Sequence, residues 1–163
     1  MSYRVGQGFD AHRLVSGRPL RLGGVHVPYE RGLEGHSDGD CLVHAVCDAL
    51  LGAAAAGDMG EQFPSADPRW KDASGRVFLA EVRQLIASRG YVVANLDATV
   101  IAQEPKLAGH LPAMRQELAA ALGVALDVVS VKAKSTDRLG ALGRGEGIAA
   151  QAVALLRREA AGS

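Results

Sequence analysis

Aromatic side chains make up only 4% of this 163-residue chain: three Phe, three Tyr and one Trp. That scarcity excludes the interleaved rings and cations of a nucleic-acid-binding surface. Lys plus Arg equals Asp plus Glu at 18 each, so the formal net charge is zero. No global field therefore draws the chain to nucleic acid or anionic lipid. There are two cysteines, Cys41 and Cys47; without a CxxC they read as buried free thiols in a reducing compartment. No apolar run reaches membrane-spanning length, and no apolar stretch of a leader follows Met1-Ser2-Tyr3-Arg4-Val5. The expected location is the cytoplasm, with neither membrane nor nucleic acid as partner. A P-loop, a strand–GxGxxG–helix, a nucleophile elbow and an HExxH are also missing.

What the chain does have is two short segments rich in His and Asp. Asp10 and His12 are two apart, and in an extended strand such residues project from one face. A third ligand, His44, can come from another element. Three His/His/Asp ligands with an open fourth position are the pattern of a catalytic zinc site; manganese or cobalt could substitute. An Asp-x-His pair alone is weak, since an Asp often just orients a surface His. The second cluster, His36, Asp38, Asp40 and His44 within nine residues, strengthens the reading. Asp40 and His44 share a helix face one turn apart, so Asp40 either orients His44 or favours the helix start.

The rest of the chain reads as alternating strands and helices. Residues 2–10 form a strand entering a turn at Asp10/His12, and 19–29 a hairpin around Gly23-Gly24. A helix over 38–56 carries Leu42, Val43, Val46, Leu50 and Leu51 at helical spacing. Residues 57–73 are a breaker-rich loop of the kind that forms lids. A helix from Asp72 or Ser74 to Gly90, a strand over 91–103, a helix to about Leu122 and a strand over 128–134 follow. The segment 148–158 is ambiguous, because its alanines favour helix while its place after a Gly-rich loop allows a last strand. This order suggests sheet and helices layered in one domain, residues 1–163. Polar groups gather at element ends; Lys106, Ser135, Thr136 and Arg144, with backbone amides of Gly-rich turns, suit phosphate.

Several segments together resemble the 2-C-methyl-D-erythritol 2,4-cyclodiphosphate synthase family. They are Gly8-Phe9-Asp10-Ala11-His12, Gly23-Gly24-Val25, His36-Ser37-Asp38-Gly39-Asp40, Asp48-Ala49-Leu50-Leu51-Gly52, Gly57-Asp58-Met59-Gly60 with Phe63-Pro64, Ile101-Ala102-Gln103 with Pro105-Lys106, and Gly143-Arg144-Gly145-Glu146-Gly147. They run in order over nearly the whole chain. The resemblance implies an α+β fold, a two-layer sandwich with a mixed four-stranded sheet covered by helices plus a small hairpin. It also implies a homotrimer with active sites between subunits, and a strand at 147–158. The substrate would be the cytidine diphosphate ester of methylerythritol 2-phosphate, and the products a cyclic diphosphate and CMP. Asp10, His12 and His44 would hold zinc, and magnesium would bridge the substrate diphosphate. His36 and Ser135 align with transition-state stabilisers. Ser37, Asp58 and Gly60 would contact the methylerythritol part, and residues 63–67, Phe63 and Asp67 among them, would close over it. Ala102, Pro105, Lys106 and Leu107, with Ala133, Lys134, Ser135, Thr136, Asp137 and Arg144, would hold the nucleotide. Ser135 stands where the family usually has Thr, and Ala141 where Phe often lines the trimer axis. Two other classes compete: a zinc-dependent phosphoester hydrolase, and a non-catalytic zinc-stabilised binding module.

Overall fold

The computed structural model describes residues 2–159. Met1, where the leader reading began, and residues 160–163, the end of the expected domain, lie outside the described residues. The chain forms β1 (Tyr3–Ser16), β2 (Leu20–Leu22), β3 (Val25–Val27), β4 (Arg31–Leu33), α1 (Cys41–Ala53), α2 (Met59–Gln62), α3 (Gly75–Ser88), β5 (Tyr91–Ile101), α4 (Leu111–Leu122), β6 (Val129–Lys134), α5 (Gly140–Gly143) and β7 (Gly147–Arg158), with 3-10 turns at Pro68–Trp70 and Leu126–Val128.

The main sheet has the order β4-β1-β7-β5-β6, and β2 pairs with β3 in a separate hairpin. Only β5 and β6 run parallel; β1–β4, β1–β7 and β5–β7 are antiparallel. The mixed α+β architecture is as expected, but the sheet has five strands rather than four. The extra one is β4, whose three residues pair with Leu14–Ser16. For the same reason β1 does not end at a turn near residue 10. Its partner β7 carries it from Tyr3 to Arg13, and β4 carries it on to Ser16. Asp10 and His12 therefore sit mid-strand. Residues 57–73 are likewise not a plain loop, since they contain α2 and the Pro68–Trp70 turn.

β7 is a strand despite its alanines, as the resemblance implied. Being flanked on both sides by β1 and β5, it satisfies its backbone laterally, and this overrides weak helix propensity. Its Ala150, Ala152 and Ala154 are buried on the face that carries Gly6, Gly8 and Asp10 of β1, and such short side chains let α1 lie close on the sheet. The approach is closer still over β1. A Cβ on Gly8 would stand 1.9 Å from the carbonyl oxygen of Ala45, and one on Gly6 2.1 Å from that of Ala49. Only glycine fits at these crossings, and the contact lays the helix bearing His44 directly over the strand bearing Asp10 and His12.

The start of α1 is fixed by Asp40, which is fully buried. Its carboxylate accepts from the amides of Val43 (3.0 Å), Gly23 (2.9 Å) and Gly24 (2.7 Å). It thus caps α1 and fastens the β2–β3 turn to it. Of the two roles open to Asp40, the structure assigns the cap. Burial pushes its carboxyl above the usual range, opposed chiefly by the bonds from Gly24 and Val43. The helices cover one face of the sheet around a core that includes Leu42, Leu50, Leu96, Met114, Leu118, Ile148 and Leu156. Tyr3, Val5, Phe9 and Val153 remain more than two-fifths exposed.

Candidate metal centre and active site

The extended β1 places Asp10 and His12 side by side, and α1, pressed onto it, brings in His44. Asp10 Oδ2 lies 2.8 Å from His12 Nε2 and 3.0 Å from His44 Nδ1, and the two ring nitrogens are 3.3 Å apart. One ligand atom from each residue falls within 4.8 Å of the others, a grouping able to hold a metal ion. The surroundings orient both rings. Ser37 Oγ lies 3.1 Å from His44 Nε2, leaving Nδ1 for the cluster. The backbone carbonyl of Glu34 accepts from the His12 ring. Such outer contacts commonly set tautomer and aim in histidine metal sites. Two imidazole nitrogens and one carboxylate oxygen suit zinc, and three protein ligands leave a position open.

Burial opposes ionisation of Asp10, but hydrogen bonds from His12 and His44 outweigh it and hold the carboxyl well below its usual range. The hydrogen bond to Asp10 in turn raises His12 above 6.5, against the effect of burial. In the metal-free protein the His12 contribution to stability is full below pH 6.5 and is lost as pH rises through the raised value. The Asp10 contribution is present above pH 3.8 and is lost only on acidification through its depressed value. A metal needs the neutral ring, so uptake must expel the His12 proton. Zinc affinity is therefore expected to rise about tenfold per pH unit below the His12 value and to level off above it. Competition with a chelator across about pH 5.5–8 measures this; a flat profile would contradict it.

The cluster forms part of the wall of a cavity of about 450 Å³, which His36, Ser37, Gly60 and Phe63 also line. The structure thus brings together ten of the residues singled out in the sequence, Pro64, Ser65 and Ala66 of the closing segment among them. Asp58 and Asp67 do not line this cavity. Asp58 caps α2 through the Glu61 amide, and Asp67 caps the Pro68–Trp70 turn and pairs with Arg69. Except for Arg144, which follows α5, the predicted nucleotide residues form a second locus at the C-terminal ends of parallel β5 and β6, where open sheets place ligands. There the Ala102 amide donates to the Lys134 carbonyl at 2.9 Å, and the Arg138 amide donates to Gln103 Oε1 at 2.9 Å. This ties 102–107 to 133–138. Pro105 follows a cis peptide bond. Asp137 and Arg138 are successive non-glycine residues with φ of 50° and 65°, a costly conformation typical of functional turns. Lys106 is exposed beside Glu104, and Arg144 pairs with Glu146 at 2.6 Å.

Four cavity residues escaped the sequence reading of the site: Asp48, Met59, Trp70 and Phe78. Asp48 was legible in principle, being four residues after His44 and so on the same helix face. Its carboxylate accepts from the Met59 amide at 2.8 Å, and burial raises its pKa. Phe63, Trp70 and Phe78 meet edge-on or tilted with centroids 4.9–5.8 Å apart, and Phe78 stands 5.9 Å from the His44 ring. No local pattern announces that aromatic wall, because its members come from three elements.

An α+β sheet carrying an open His/His/Asp cluster in the wall of a cavity defines a candidate metalloenzyme. The chain belongs to the YgbB family, which matches residues 3–157. It is 58% identical over 161 residues to the 2-C-methyl-D-erythritol 2,4-cyclodiphosphate synthase of Burkholderia thailandensis, covering 99% of both chains. Among solved structures, it superposes with a TM-score of 0.88 on a 2C-methyl-D-erythritol-2,4-cyclodiphosphate synthase in a CDP-bound form. That match has 37% identity and covers 94% of this chain and 100% of the other. It also resembles part of the bifunctional IspDF of Campylobacter jejuni, with TM-score 0.93 and 38% identity; 96% of this chain matches 42% of that longer one.

Proposed function

We propose that this protein converts the cytidine diphosphate ester of methylerythritol 2-phosphate into the 2,4-cyclodiphosphate, releasing CMP. The observation that carries this reading is the convergence of Asp10, His12 and His44 in one cavity of a chain 58% identical to a named synthase. An oxygen of the 2-phosphate attacks the β-phosphorus. The bond between that phosphorus and the oxygen bridging to the α-phosphate breaks, and CMP departs with the bridging oxygen. No water is consumed and no protein nucleophile is needed, so positioning and charge neutralisation supply the catalysis.

Asp10, His12 and His44 would hold zinc, which when bound polarises a phosphate oxygen and fixes its direction. Magnesium would accompany the substrate diphosphate. His36, exposed toward the cavity, would donate to a phosphoryl oxygen as charge develops, with the Ser135 hydroxyl doing so from the second locus. Ser37, Gly60 and Phe63 would seat the methylerythritol part, with Asp58 and Asp67 at the segment closing over it. Ala102, Pro105, Lys106, Leu107, Ala133, Lys134, Thr136, Asp137 and Arg144 would hold the nucleotide.

The two loci lie on different parts of the chain, and a trimer would unite them by supplying the second from a neighbouring subunit. The exposed Tyr3, Val5, Phe9 and Val153 support that assembly, since apolar patches of this kind mark interfaces. In this reading the whole chain is one synthase domain acting in isoprenoid precursor synthesis in the cytoplasm.

Turnover in water enriched in oxygen-18 tests the chemistry. Cyclisation is expected to leave both products unlabelled. Label in CMP or in a linear phosphate product would mean hydrolysis and would overturn the reading.

A further inference from the structure

The His36 imidazole has no hydrogen bond, ion pair or ring contact among the described residues, although it lines the cavity beside the metal cluster. Its direction therefore depends on its backbone. That backbone is held by an unusual clamp. Arg18, in the connection between β1 and β2, donates Nη1 to the Gly35 carbonyl at 3.1 Å and Nη2 to the Ser37 carbonyl at 2.8 Å. The carbonyl between them, that of His36, accepts from the Asp72 amide at 3.2 Å. Three successive carbonyls are thus fixed, and with them the peptide planes on both sides of His36.

Arg18 has no carboxylate partner among the described residues. Its planar fork reaches two acceptors at once, which a lysine ammonium on a flexible stem does poorly. The fork is placed by a close crossing: a Cβ on Gly32 would lie 2.4 Å from the carbonyl oxygens of Arg18 and Pro19. Glycine in β4 lets the β1–β2 connection pass against that strand, so that Arg18 arrives beside the segment leading into α1.

We infer that Arg18 is a positioning residue for His36, clamping the 35–37 backbone so that the imidazole faces the phosphoryl group being transferred. The inference rests on the synthase reading for the role of His36, but the clamp itself can be tested without turnover.

The experiment compares zinc-loaded wild type, Arg18→Ala and Arg18→Lys. It uses steady-state kinetics with the proposed substrate and histidine-imidazole NMR of nitrogen-15-labelled protein. Arg18→Ala is expected to lower kcat by about 10- to 100-fold, the effect of misplacing a reacting group by around an ångström, with KM changed less than threefold. Arg18→Lys should fall between. In the spectra the His36 signals of Arg18→Ala should shift or broaden most, with those of His44, reached through Ser37 Oγ, moving less and those of His12 staying in place. Unchanged His36 signals would overturn the inference, as would His12 and His44 moving equally, which would mean general support of the metal centre. If wild type forms no cyclic product, the synthase reading fails, and the spectra still decide whether Arg18 orients His36.

Discussion

Replacing Asp10 by alanine is expected to lower kcat/KM by about 10³-fold or more while the protein stays folded. The size follows from what is removed. Asp10 Oδ2 touches both histidines of the cluster, so its loss takes away the one carboxylate of a group able to hold a metal and unties the other two. Metal acting as a Lewis acid at a phosphoryl oxygen is worth several kcal/mol of transition-state stabilisation, and each 1.4 kcal/mol is about tenfold in rate. The fold should survive, because Asp10 is only half-buried at a cavity wall while the core lies between sheet and helices. Metal analysis should show substoichiometric zinc, and thermal melting should remain cooperative. An unfolded variant would instead favour a metal that holds the chain together, as structural zinc does.

Gly8→Ala tests the scaffold from the other side. A methyl group there would overlap the Ala45 carbonyl of α1, at 1.9 Å, and a backbone oxygen cannot swing away as a flexible side chain can. Either β1 or α1 must move. Overpacking of a close-packed interior commonly costs 1–3 kcal/mol, and a clash with helix backbone belongs at or beyond the upper end, so a loss of about 3 kcal/mol or more is expected. The shift would also part Asp10 and His12 from His44, and zinc affinity should fall with stability. Denaturant unfolding and chelator competition check the two effects. A variant as stable as the parent would mean that the helix does not press on the strand as described.

The grouping of Asp10, His12 and His44 was legible because its evidence is local on each side: a two-residue spacing on one strand, and a His among acids at a helix start. The helices over 41–53, 75–88 and 111–122 were legible from apolar spacing, and the β2–β3 hairpin from Gly23-Gly24. What was not legible depends on distant partners. The end of β1 and the existence of β4 are decided by pairing between Leu14–Ser16 and Arg31–Leu33, which no window along the chain contains. The strand at β7 runs against its own alanine content because two neighbours bracket it. Asp40 could not be assigned from sequence, since its deciding contacts, Gly23 and Gly24, lie on another element. Trp70 and Phe78 escaped for the same reason.

The most direct measurement is phosphorus NMR of the protein incubated with the cytidine diphosphate ester of methylerythritol 2-phosphate and magnesium. It would be run first metal-free and then with zinc restored. No reaction is expected in the first state. In the second, conversion to one cyclic diphosphate and one CMP per substrate consumed is expected. Equal turnover in both states would contradict the role given to Asp10, His12 and His44, and CMP with a ring-open phosphate product would contradict the cyclisation itself.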